Sequence, residues 1–191
     1  MTFYTFLNKD ELNNKEFYTD DFNLDIPIGH GFIIDTADNI LCWCHHGPYL
    51  AKININDNAK LSKIETTWAT FYKVNSFTVS KIYDIYDTDD IDQMAEDGID
   101  LHVNNEMLLT YAISDGYETA AKHLIDKHNA NVSVDDSLPL RLAIYHNRIH
   151  VLPNIIKNGA DFTAMRGMPK ILALKFGNES TLNTLRKYYN F

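Results

Sequence analysis

The sequence predicts an α+β chain, a small N-terminal α+β domain over residues 1–86 followed by a short helical repeat stack over residues 87–191. Two patterns carry this. Residues 1–86 contain short β-rich runs with alternating character, and from about Asp90 onward anchor residues recur every 30 or 31 positions. Composition agrees with both: 191 residues, 45% hydrophobic and 23% charged, are the balance of a globular chain long enough to bury a sizeable core.

In the first half, Thr2 to Leu7, Gly31 to Asp35, Tyr49 to Ile55 and Thr70 to Ser80 are rich in Ile, Val, Phe, Tyr and Thr and read as strands. From Ile53 the alternation Ile53-Asn54-Ile55-Asn56 is that of a sheet with one wet face. Thr36 to Trp43 reads as a short helix with Thr36 as its N-cap. The acidic stretch Asp84 to Asp100 bridges into the repeats, and Asp87 to Asp90 favour the start of the helix that follows.

The repeat rests on several independent registers. Asp97-Gly98-Ile99-Asp100, Asn129-Ala130-Asn131 and Gly159-Ala160-Asp161 share a turn followed by Asp or Asn. Ala112, Ala143 and Ala173 form a second set, and Met94, Ile125 and Ile156 a third. Gly116, Asn147 and Gly177 occupy one equivalent place, where residues that tolerate the left-handed conformation end a helix. Each unit therefore reads as helix, tight turn, helix, loop. In Leu138-Pro139-Leu140-Arg141-Leu142-Ala143, Pro139 suits a first helical position. The second helices are expected over 117–127, 148–157 and 180–188. The division is a half-unit 88–103, full units 104–135 and 136–166, and a terminal cap 167–191, with Lys175, Arg186 and Lys187 on its solvated outer face.

Leu138 to Ala143 and Gly159-Ala160-Asp161 make this part of the chain resemble ankyrin repeats, whose units open on Thr-Pro-Leu-His-x-Ala and close on Gly-Ala-Asp. The Thr position holds Met107 or Leu138 here, and the His position holds Thr110, Arg141 or Ile171. The period falls short of the usual ~33 residues, which implies trimmed loops. Gly31-Phe32-Ile33-Ile34, Asn39-Ile40, Gly47-Pro48-Tyr49-Leu50-Ala51-Lys52-Ile53 and the run Phe71 to Ile85 are similar to the N-terminal domain of ankyrin proteins of giant viruses of the mimivirus kind. That resemblance implies a viral protein acting on a host or viral protein partner, in the host cell cytoplasm.

Charge and motifs exclude several classes. A net charge of −9, from 26 acidic and 17 basic side chains, argues against nucleic acid or an anionic membrane as partner. No stretch approaches ~18 apolar residues, and the N-terminus lacks a basic region followed by an apolar run, so neither a membrane span nor secretion is expected. Cys42-x-Cys44-His45-His46 is too compressed for a zinc tetrahedron, and His30 alone does not complete one. The acidic run fails the calcium-loop pattern, with Ile91 and Asp92 where an acid or amide and a glycine belong when the loop starts at Asp87. No metal and no cofactor is expected. No Gly-x-Ser-x-Gly, phosphate loop or dinucleotide fingerprint occurs. An ADP-ribosyltransferase-like enzyme in the first half would have to draw on residues such as His30, Tyr49 and Glu65, and a self-assembling virion protein is a third reading.

The leading expectation is a non-enzymatic protein-binding module. By position, the loop tips supply His102, Asn104, Asn105, Asp135, Asp136, Met165 and Arg166, and the first helices supply Tyr111, Ser114, Leu142 and Tyr145.

Overall fold

The computed structural model describes residues 2–18, 32–67 and 70–190. The chain is α+β and divides into two compact units, 1–100 and 101–191. The division falls later than the 86/87 boundary expected from sequence, because helix α1 (Thr88–Glu96) packs on strand β7 of the first unit. Among the described residues no helix is long and apolar enough to cross a membrane.

Among the described residues the first unit holds seven strands in two antiparallel sheets: β1 (Phe3–Leu7), β2 (Glu16–Tyr18), β3 (Phe32–Ile34), β4 (Tyr49–Ile55), β5 (Leu61–Glu65), β6 (Thr70–Val74) and β7 (Ser76–Asp84). One sheet runs β1-β4-β7-β2 and the other β3-β6-β5. They are joined where Tyr4 and Asp35 exchange backbone hydrogen bonds of 2.9 and 3.0 Å. Phe3, Leu7, Phe17, Ile34, Ala51, Ile53, Val74 and Phe77 form one buried cluster of this unit. Phe17 stacks on Phe77 at 4.8 Å and Phe32 meets Phe77 edge-on at 5.0 Å, geometries that aromatic quadrupoles favour.

The run Thr70 to Ser80, read as one strand, is two. The chain leaves one sheet and enters the other at Asn75. Its side-chain oxygen accepts from the Lys60 N–H at 2.7 Å, and its own N–H donates to the Lys60 carbonyl at 3.3 Å. Those bonds satisfy a buried polar residue at the crossing, so the switch leaves no unpaired amide there. The short helix also differs from expectation. It is a 3-10 helix over Ile40–His46, preceded by Asn39, with no side-chain cap; the Thr36 carbonyl, not its hydroxyl, accepts from Asn39 and Ile40. Buried Asp35 anchors this segment, accepting from the Thr36 N–H at 2.8 Å and the Trp43 indole at 3.2 Å. Burial pushes its carboxyl above the usual range, and these two bonds partly offset that.

α1 begins as its acids predict. Asp87 is the N-cap, its carboxylate accepting from the N–H groups of Asp89 and Asp90. Ile91 and Met94 form its buried face. At its end Asp97 takes a hydrogen bond from the buried Tyr83 hydroxyl and an ion pair from Lys81 at 2.7 Å.

The second unit consists of α2 (Val103–Asp115), α3 (Glu118–Asp126), α4 (Val134–Tyr145), α5 (Leu152–Lys157), α6 (Ala164–Phe176) and α7 (Glu179–Arg186). They pair as hairpins α2–α3, α4–α5 and α6–α7. The first helices pack side by side as α2·α4·α6 and the second helices as α3·α5·α7. Each hairpin buries Ala112, Ala143 or Ala173 at the same place. A small residue there permits close approach of neighbouring helices, which is why this register shows in the sequence.

Candidate functional site

The surface of the second unit is built by one local device used three times. Within the opening of each first helix, after its first residue, stand three successive residues in the left-handed region that break it from the right-handed helix beyond: 104–106 at φ 52°, 55° and 61°, 135–137 at 46°, 55° and 57°, and 165–167 at 48°, 59° and 83°. Such a turn costs roughly 1–2 kcal/mol per non-glycine residue, least for Asn and Asp. The right-handed helix starts only after it, so Pro139 stands in the first turn of α4, where no backbone donor is lost.

The third residue of the turn offsets that strain. Glu106 and Ser137 are buried, and each accepts from a backbone N–H in the next unit's loop: Asn131 N–H to Glu106 at 2.9 Å and Asp161 N–H to Ser137 Oγ at 2.8 Å. Gly167 occupies this place in the third hairpin and has no side chain to offer. Sequence reasoning missed these two residues; the available signal was a polar side chain at one fixed register.

With the third residue turned inward, the first two face solvent. Asn104, Asn105, Asp135, Asp136, Met165 and Arg166 are all exposed, as expected from their positions. Asn105 donates to Asp135 Oδ1 at 3.2 Å, tying adjacent tips together. Arg141 donates to the Asp135 carbonyl at 2.6 Å and the Asp136 carbonyl at 3.3 Å. His102 is exposed, its Nδ1 3.0 Å from both carboxylate oxygens of Glu106, so it belongs to the turn's own bonding.

The helix candidates divide. Tyr111, Leu142 and Ser114 are half-buried, and the Ser114 hydroxyl donates to the Thr110 carbonyl at 2.9 Å. Tyr145 stands out at 48% exposed. Its ring meets Phe176 at 4.8 Å and His146 at 4.9 Å, both edge-on, and the Lys175 ammonium lies 5.1 Å from the Phe176 centroid. Phe176, exposed and one repeat after His146, completes an aromatic pair spanning two hairpins that sequence reasoning did not assemble.

The tight turns between paired helices hold this surface in register. Gly116 and Asn147 are left-handed, at φ 94° and 56°, whereas Gly177 at φ −66° is extended, contrary to its expected equivalence. Space requires glycine there instead: a Cβ on Gly177 would come within 2.5 Å of the Ala173 carbonyl oxygen. Asn147 bonds across hairpins, donating to the Phe176 carbonyl at 3.1 Å and accepting from the Asn178 N–H at 2.7 Å and the Thr181 hydroxyl at 2.8 Å. Arg148 caps α2 by donating to the Ile113 carbonyl at 2.9 Å and to that of Ser114. Glu118 accepts from the N–H groups of His150 and Val151 at 2.7 and 3.1 Å.

The residues weighed for other chemistry lie in the first unit. Cys42, Cys44, His45 and His46 share the 3-10 helix, and among the described residues they do not converge as a ligand set. Burial, then repulsion from Asp35 and Asp100, pushes the Cys42 thiol up; burial pushes the His46 imidazole down. Tyr49 begins β4 of one sheet, and Glu65 ends β5 of the other in an exposed ion pair with Lys63 at 2.6 Å. His30 lies outside the described residues.

The chain matches no protein-family model, and comparisons with curated proteins and with solved structures return no match.

Proposed function

We propose that this protein is a binding module that holds a partner protein on the loop tips and first helices of an ankyrin-like stack, without catalysis. One observation carries the reading: three loop tips, each raised by the same left-handed turn, present exposed polar side chains in register beside the Tyr145–Phe176 pair. Strain held at a repeated surface feature is what a pre-organised contact face needs. The aromatic pair supplies rigid apolar area at low entropy cost, and Asp135 and Asp136 supply charge at the middle tip. The setting, a viral protein engaging a host or viral partner in the cytoplasm, follows from the resemblance to mimivirus-type ankyrin proteins.

The test is quantitative affinity capture from infected or transfected cells with the full chain, Tyr145→Ala, and the charge-neutral pair D135N/D136N. Loss of a central aromatic anchor of about 2 kcal/mol weakens binding roughly thirtyfold. The expected outcome is one or more proteins depleted in both variants while circular dichroism stays unchanged. Identical partners in identical amounts from all three baits would overturn the reading.

A further inference from the structure

The third hairpin presents an apolar surface where the first two are covered. Ile113 and Ile144 occupy one register on the first helices and are 0% exposed, in a stack where α4 packs on α2 and α6 on α4. One repeat on, Leu174 holds the same place and is 64% exposed, with Ile171 beside it at 54%. Tyr188 adds a further exposed ring in the same hairpin. The expected cap is thus only partial. Lys170 stands where Leu109 and Leu140 are buried, and Arg186 follows the register of Ile125 and Ile156. An apolar strip on α6 remains, with cations on either side.

Charge selects what covers it. Residues 167–191 carry Lys170, Lys175, Arg186 and Lys187 against one acid, Glu179, within a chain of net charge −9. Two copies meeting through this face would juxtapose like charges, which costs affinity. In the preceding units the equivalent surface is covered by a helix lying beside it. We infer that the exposed face of α6 and α7 docks an acidic amphipathic helix of another protein, its apolar stripe on Ile171 and Leu174 and its Asp or Glu residues toward Lys170, Lys175, Arg186 and Lys187. This surface adjoins the proposed contact face at Phe176, over whose ring Lys175 lies, and Leu174→Glu and Tyr145→Ala test the two readings separately.

The experiment uses the full chain and two synthetic helical peptides, followed by fluorescence polarisation. Both have Leu at i, i+3, i+4 and i+7; one flanks them with Glu and the other with Lys. The Glu peptide is expected to bind at least about tenfold tighter than the Lys peptide. Leu174→Glu, at a solvent-facing position where folding is unaffected, should weaken it by about tenfold or more. K170E/R186E should invert the peptide preference, and Tyr145→Ala should leave it unchanged. Equal binding of the two peptides, no binding of the Glu peptide up to about 1 mM, or no effect of Leu174→Glu would overturn the inference. So would a wild-type dimer in sedimentation that Leu174→Glu converts to monomer, because it assigns the face to a second copy.

Discussion

Asp97 shows how one side chain couples the sheet to the helix laid on it. Lys81 and then Tyr83 donate to its carboxylate and hold it below the usual aspartate range. Tyr83 is pushed far the other way, first by burial and then by that same bond. A carboxyl whose folded pKa is depressed contributes stability above its unfolded value, near 3.9, and loses it as the pH falls toward the folded value. Urea unfolding of wild type should therefore show stability declining as the pH drops below about 4. D97N should be less stable at neutral pH and should show a shallower acid decline. Parallel pH profiles for the two proteins would remove Asp97 from the account. Little of this was legible in the sequence, because Tyr83 and Lys81 precede Asp97 by 14 and 16 residues and meet it only through packing. The start of α1 was legible from the acids Asp87 to Asp90, because they act locally, Asp87 on the N–H groups two and three residues ahead of it.

At the scale of the element, the left-handed turn is the feature that sequence periodicity located without describing. The recurrence of Asp or Asn at 100, 131 and 161, and of alanine at 112, 143 and 173, located the helices; α3 and α7 lie close to the ranges expected, whereas α5 begins only at Leu152, the expected start at 148 being taken up by a turn. Three consecutive left-handed residues were not legible, because Glu, Ser, Met and Arg have no preference for that region. What holds the first two turns is a bond from the next unit, through Glu106 and Ser137, a non-local cause. The split of β6 from β7 at Asn75 and the strands β2 and β5 were hidden for the same reason, since each depends on its pairing partner. Ser137 separates the two contributions to the turn. Ser137→Ala should cost about 1–3 kcal/mol, by leaving the Asp161 N–H unpaired while the left-handed strain of a Cβ stays as it is in the wild type. Ser137→Gly should cost roughly 1 kcal/mol less than Ser137→Ala, because glycine removes the backbone strain but not the lost bond. Urea midpoints of the full chain measure both; equal stability of all three proteins would show that the Ser137 bond does not hold the turn.

Across the whole molecule the charge is unevenly placed. Residues 101–191 carry ten Lys and Arg against eight Asp and Glu, so the acidity read from the full sequence belongs to residues 1–100. The argument from net charge against anionic partners therefore bears on the first unit, while the second offers a near-neutral surface with acids at its middle tip and cations at its last hairpin. The same hairpin is the thinnest part of the stack. In a linear array each unit is held by its own core and by bonds to its neighbours, so stability falls where those bonds are fewer. The middle hairpin is bonded on both sides, through Glu118 and Arg148 to the first and through Asn147 and Ser137 to the third. The third has Phe162 stacked on Tyr189 at 4.2 Å, but it lacks the turn bond at Gly167 and leaves Ile171 and Leu174 exposed. Hydrogen exchange within the second unit should accordingly be graded. Amides of α6 and α7 should exchange first, and those of α2 and α4 around Ala112 and Ala143 last, because local opening follows the density of buried contacts. The acidic Leu/Glu peptide, bound to the α6–α7 face, should slow exchange in α6 selectively and leave α2 unchanged. A uniform exchange rate across α2, α4 and α6 would mean that the three hairpins open as one body, and the docking face would then have to be read from binding data alone.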